Sequence, residues 1–227
     1  MSVNNGFDIQ QIIAQAREVI TRPVNYFQSM QKTGGFGDPV VFVAVMGAVA
    51  GVIAAVFALF GSAGGLLAGV FGALIFGPLM AVLGAFIGAA VLYVIWKLMG
   101  STENYETAFR CQAALAALYP ISALLGIVPY IGGIVTIAWG AWLLVEASVA
   151  VHARQRRTAQ IVFGVLAVLF IFTSLGSERA SREMDARMEE MGEQFEDMED
   201  MSPEEAGRKL GEFMKGLEQG AQGDGDQ

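Results

Sequence analysis

Val40–Phe60, VVFVAVMGAVAGVIAAVFALF, runs for twenty-one residues without a charge, an amide or a proline. A helix needs about 20 mostly apolar residues to cross a bilayer. It is also the form in which one segment satisfies all its own backbone donors and acceptors in hydrocarbon. This stretch therefore predicts a transmembrane helix, and it sets the frame for the rest of the chain. After a short Gly-rich break at 61–65, the run 66–99 is apolar until Lys97 and is interrupted by Gly77-Pro78. It is too long for one span and short for two plus a turn. Pro78–Met99 is the predicted second span, and 66–76 is either a kinked extension of it or a re-entrant piece. Cys111–Val128, Ile131–Val151 and Thr158–Leu175 supply a third, fourth and fifth span. Pro129-Tyr130-Ile131-Gly132-Gly133 is a turn by its Pro and Gly content. The predicted fold class is an all-α polytopic membrane helix bundle of about five transmembrane helices, with amphipathic helical termini.

Charge sets the predicted topology. Lys and Arg in short loops favour the cytoplasmic side. With the N-terminus inside, Arg17, Arg22, Lys32, Lys97, Arg110, Arg154, Arg156 and Arg157 all fall on that side, and the loops 61–65 and 129–133 carry no charge. Dividing 66–99 into two full spans would move Lys97 outside and spoil the pattern. The predicted organisation is a cytoplasmic interfacial segment at 1–39, a membrane domain at 40–175, an acidic amphipathic tail at 176–218 and a disordered end at 219–227. No signal peptide opens the chain, so an internal helix is expected to drive insertion. The setting expected is the inner (cytoplasmic) membrane of a bacterium, with the C-terminus outside.

Composition excludes several function classes. Of 22 acids, 16 lie in 178–227 with six bases, a net of −10, and the remainder is +2. The acidic character thus belongs to the tail, and a basic nucleic-acid footprint is absent. One cysteine, Cys111, excludes an intramolecular disulfide, and in an apolar run it reads as buried and inert. One histidine, His152, adjoins the basic loop and reads as a solvated loop residue. There are too few parts for a metal site or acid–base pair. No catalytic set is visible, so the chain is expected not to be an enzyme and to need no cofactor or metal.

Four features remain as candidates. Glu146 is an ionisable group inside a span, which makes it the functional candidate of the membrane domain. Its alternatives are a relay or ion ligand on one hand, and a structural partner for another helix on the other. Trp139 and Trp142 share its face. Gly47 and Gly51, and Gly84 and Gly88, have the four-residue spacing that lets helix backbones approach in lipid, either within one bundle or between copies. Ile9, Ile13, Ala16 and Ile20 make an amphipathic stripe suited to the membrane surface. In the tail, Met184, Met188, Met191, Phe195 and Met198 follow heptad spacing. That pattern fits helix or partner packing, with a soft metal such as Cu(I) as the alternative. Ser202-Pro203-Glu204-Glu205 then opens a second predicted helix to about residue 218 by its N-cap and capping box.

A further group of residues has an order that resembles a known family. Ala16-Arg17, Pro23 and Tyr26-Phe27 precede Gly34-Gly35-Phe36 and Asp38-Pro39. Gly100, Thr107-Ala108-Phe109-Arg110, Ile127-Val128-Pro129-Tyr130-Ile131-Gly132-Gly133 and His152 follow. Over roughly residues 10–175 this is similar to the Yip (Ypt-interacting protein) membrane domain. The resemblance implies five spans, a cytoplasmic N-terminus and an exported C-terminus. Its eukaryotic members are adaptors of Rab-type GTPases in vesicle traffic. That role is not carried over, because this compact Gly- and Ala-rich chain looks prokaryotic. The chain departs from the pattern at Ala114, where a tyrosine is common, and at Glu146, where an apolar residue is expected. The functional expectation is a non-enzymatic membrane adaptor or organiser. It would contact membrane lipid and bind a protein partner, or itself, through its helices or tail. The alternative is a small transporter, channel or lipid-moving protein that uses Glu146.

Overall fold

A computed structural model describes residues 8–61, 76–128 and 130–199. All regular structure among them is helical. Asp8 caps α1 (Ile9–Thr21), its carboxylate accepting from the amides of Gln10 and Gln11 at 2.9 and 3.4 Å. Pro23 opens α2 (Pro23–Ser29), a position where its missing N–H costs nothing. The long elements follow as α3 (Gly37–Gly61) and α4 (Gly77–Leu98), then α5 (Tyr105–Ala114), a 3₁₀ turn (Leu115–Leu118) and α6 (Tyr119–Leu125). The last two are α7 (Ile131–Ala150) and α8 (Arg156–Glu199). Five stretches are long and apolar enough to cross a membrane: Gly37–Phe57, Gly77–Leu98, Tyr105–Leu125, Ile131–Ala150 and Arg156–Met188. The chain is an all-α polytopic bundle.

The third span departs most from the sequence reading. It begins at Tyr105, not Cys111, and takes in Glu106 and Arg110. The two are an i,i+4 ion pair with Nε–Oε1 at 3.4 Å, so each enters the helix with its charge offset. Asn104 caps this helix by accepting from the Thr107 amide at 2.9 Å. Its continuity breaks at the 3₁₀ turn ahead of Pro120, which has no N–H to bond the preceding turn and whose ring crowds it. The expected re-entrant or kinked piece at 66–76 lies almost wholly outside the described residues. So does the second tail helix at 203–218.

The bundle packs on small residues. Ala85 and Ala89 of α4, Ala108, Ala113 and Ala114 of α5, Ala116 and Ala117 of the turn, and Ala147 of α7 are all buried. Close backbone approach drives association in lipid, where no hydrophobic force acts between helices. The tightest approach is between α3 and α4. A Cβ on Gly47 would lie 2.7 Å from the Cβ of Ala81 and 3.3 Å from the Cα of Pro78. Gly51 sits at the same seam, its Cα 3.8 Å from where a Cβ on Gly77 would be. Gly88 lies under the Gln112 side chain of α5. Gly84 faces open space among the described residues, with nothing within 4 Å of its Cβ position. The spacing alone could not tell these apart, because it gives periodicity and not the direction of the neighbour.

α1 does not simply lie on a surface. Ile12 and Val19 are buried in the core, Ala16 and Ile20 pack against it, and Ile9 and Ile13 stay exposed. The helix of the fifth span does not stop at residue 175: α8 runs from Arg156 to Glu199. No proline interrupts it, and Gly176 is the only weak helix former at the expected break. By internal contacts the chain divides into two units, 1–174 and 175–227. In the second, Met184 and Met188 are exposed. The side chains of Met191, Phe195 and Met198 lie outside the described residues.

Candidate functional site

Three connections meet at one end of the bundle: 30–36 before α3, 99–104 between α4 and α5, and 151–155 between α7 and α8. Lys32 joins all three. Its Nζ donates to Glu103 Oε1 at 2.6 Å and to the Val151 carbonyl at 2.8 Å. Thr107 Oγ1 donates to the Lys32 carbonyl at 3.2 Å. The connections that the charge pattern put on one side are therefore in contact.

The cations here serve helix ends. Val151 closes α7 and Met99 closes α4, and each leaves carbonyls without an intrahelical partner. Lys32 takes the Val151 carbonyl, and Arg154 Nη1 takes the Met99 carbonyl at 3.0 Å. Positive charge at a helix C-terminus also offsets the negative end of its dipole. The glycines beside them are required by geometry. Gly100 has φ +86° and a Cβ there would stand 3.0 Å from Arg154 Nη1. Gly34 has φ +128° and a Cβ there would stand 2.9 Å from Arg110 Nη2. Both adopt positive-φ backbone that L side chains rarely take, and a Cβ at either would also press on a guanidinium, so a substitution at either is strained.

Beneath this layer sits His152, 3% exposed. It is not the solvated loop residue that its flanking arginines suggested. Its ring stacks on Trp96 with centroids 3.8 Å apart and planes at 18°. Nδ1 is 2.8 Å from Ser101 Oγ and Nε2 is 3.8 Å from Cys111 Sγ. Burial lowers its pKa from 6.5 to about 4, with Glu103 acting against that shift and Lys32, Arg154 and Lys97 adding to it. The imidazole is neutral at pH 7. Trp96 in turn donates from Nε1 to Ser148 Oγ at 2.8 Å, and Ser148 donates to the Leu144 carbonyl at 2.6 Å. A chain of side-chain contacts thus ties α4, α5 and α7 through His152. Cys111 is fully buried within it and is not open to a reactant.

Glu146 is 3% exposed and bound at both oxygens by one guanidinium, Nη1–Oε1 at 2.6 Å and Nη2–Oε2 at 2.8 Å from Arg156. Planar two-point pairing is the geometry for which Arg suits a carboxylate. The pair links the last turns of α7 to the first residue of α8. Trp142 is exposed, and Trp139 packs against the core with its Nε1 buried and unpartnered among the described residues.

An aromatic group completes this end. Phe36 meets Phe86, Tyr105 and Phe109 at centroid distances of 6.0, 6.1 and 5.2 Å, and Phe86 stacks on Phe109 at 4.3 Å. Arg110 Nη2 donates to the Gly35 carbonyl at 2.7 Å, and the Gly35 amide donates to Glu106 Oε1 at 2.7 Å. On α2, Tyr26 accepts from Gln15 Nε2 at 3.0 Å, and burial raises its phenol to about 12. The scattered marks Gly34-Gly35-Phe36, Gly100, Thr107 to Arg110 and His152 are therefore one assembly in space.

The Yip1 domain family matches residues 17–176, well over half of the chain. The chain belongs to the Yip1 domain family. Searches of characterised proteins and of solved structures find no match. The family match begins in α1 and ends in the fifth span, so it contains the whole Yip1-domain assembly described above. Among the described residues no group of three or more His, Cys, Asp or Glu could hold a metal ion. The sequence reading missed Trp96 and Ser101 as partners of His152, and Ser148 as the partner of Trp96. These contacts join residues far apart in the chain, 51 positions for Ser101 and His152 and 52 for Trp96 and Ser148, and nothing in local spacing announces them.

Proposed function

We propose that this Yip1-domain protein is a non-enzymatic membrane adaptor or organiser of a bacterial inner membrane, N-terminus inside and C-terminus outside. It would bind a partner protein, or a second copy, through its helices and its acidic tail. One observation supports this best. The buried and interhelical polar groups of the loop end are spent on one another: Glu146 on Arg156, Lys32 on Glu103 and a helix end, and Arg154 on another helix end. What remains available is surface. Met184 and Met188 of the tail are exposed, and Met suits adaptable protein surfaces. Affinity capture of the full chain in mild detergent, with and without residues 178–227, is the test. Specific partners that are lost on truncation are expected. Capture that is the same in both forms counts against the tail.

The alternative, a transporter or lipid-moving protein acting through Glu146, is separated by Glu146→Gln. Loss of a measurable flux with the fold retained would favour it. The paired state of Glu146 favours the adaptor.

A further inference from the structure

The polar face of α1 looks across a cleft of ≈ 830 Å³ to the start of α3. Its rim carries Asp8, Glu18 and Asp38, and its wall carries Arg110, Val41 and Phe42. The rim acids are not equivalent. Asp8 is occupied in capping α1, whereas Glu18 and Asp38 make no ion pair among the described residues. The Arg110 side chain is only 10% exposed. Its Nη2 and Nε are held by Gly35 and Glu106, and its Nη1 makes no hydrogen bond among the described residues. The cleft thus offers free carboxylates on one side and an anchored guanidinium on the other. It also lies where the first apolar span begins, at Gly37. From Val41 an exposed valine ridge runs along that span through Val49, Val52 and Val56.

We propose that this cleft holds the headgroup of a zwitterionic phospholipid ending in an ammonium, of which phosphatidylethanolamine is the simplest. The ammonium sits against Glu18 and Asp38, the phosphate turns towards Arg110, and an acyl chain follows the valine ridge. Charge complementarity selects this occupant. A net anionic headgroup would present the same phosphate to Arg110 but bring no cation to Glu18 and Asp38. A soluble basic peptide would match the acids but not the apolar wall that continues into the span.

The test uses the full chain, delipidated in mild detergent. It is incubated with phosphatidylethanolamine or phosphatidylglycerol of the same acyl chains and read by native mass spectrometry. The wild type is expected to retain phosphatidylethanolamine about fivefold or more over phosphatidylglycerol, a difference of about 1 kcal/mol. Glu18→Gln with Asp38→Asn should bring that ratio close to one with the melting temperature unchanged. Glu18→Gln alone, on an exposed helix face, should lower it in the same direction and serves if the double variant folds poorly. Equal or greater retention of phosphatidylglycerol by the wild type would overturn the proposal. So would an unaltered preference in the folded variants.

Discussion

Gly47→Ala adds one methyl group where the first and second spans cross. The new Cβ would stand 2.7 Å from the Cβ of Ala81, against about 3.5–4.0 Å for a relaxed carbon–carbon contact. The second neighbour is backbone, the Cα of Pro78 at 3.3 Å, so rotating a side chain cannot relieve the clash. The helices must part by roughly 1 Å along the seam, and overpacking of this kind costs about 1–3 kcal/mol. The assay is thermal unfolding of the purified protein in mild detergent. Two companions make it specific. Ala81→Gly in the Gly47→Ala background removes the closer contact and should recover a large part of the loss. Gly84→Ala, on the same pair of elements but with open space around it, should cost nothing and can gain from the better helix propensity of Ala. If Gly47→Ala melts with the wild type, or if Gly84→Ala is equally harmful, the close approach of α3 and α4 is not what holds this seam.

Other expectations follow from the loop end and the topology. His152 has a folded pKa of about 4 against 6.5, so between those values the unfolded chain binds more protons. Its contribution to stability is therefore complete above about pH 6.5 and falls as pH drops towards 4. The upper bound is about 3.5 kcal/mol at about 1.4 kcal/mol per unit. A melting-temperature profile of His152→Gln should be flatter than wild type over that window, and parallel profiles would refute the assignment. Arg156→Gln strands a carboxylate that is 3% exposed and should lower the melting temperature, since a buried charge is left without its partner. Glu146→Gln should cost less, since its amide still accepts from Arg156, and equal melting losses would show that the buried charge is not the issue. For topology, single cysteines at Ser29 and Gln155 in a Cys111→Ala background should label only from the cytoplasmic side, and a cysteine at Ser62 only from outside. Labelling of position 155 in intact cells by an impermeant reagent would reverse the orientation.

Hydropathy alone determined that this is an all-α membrane protein with about five spans, because bilayer thickness and backbone desolvation act on any apolar run regardless of its neighbours. Pro and Gly content marked the turn before α7, and periodicity the amphipathic character of α1, for the same local reason. It misjudged where charge may enter a span: the third begins at Tyr105 because Glu106 and Arg110 offset each other. The single-residue readings went further astray. His152 looked solvated because its neighbours in sequence are arginines, yet its neighbours in space are Trp96, Ser101 and Cys111. Glu146 could be weighed as functional or structural from the sequence, but its pairing with Arg156 depends on how α7 and α8 are joined. Gly47 and Gly84 carry the same four-residue spacing, and among the described residues Gly47 has a helix against it and Gly84 has open space. Spacing along a helix says which residues share a face. What that face meets depends on contacts made across tens of residues of chain, and those are set by tertiary packing.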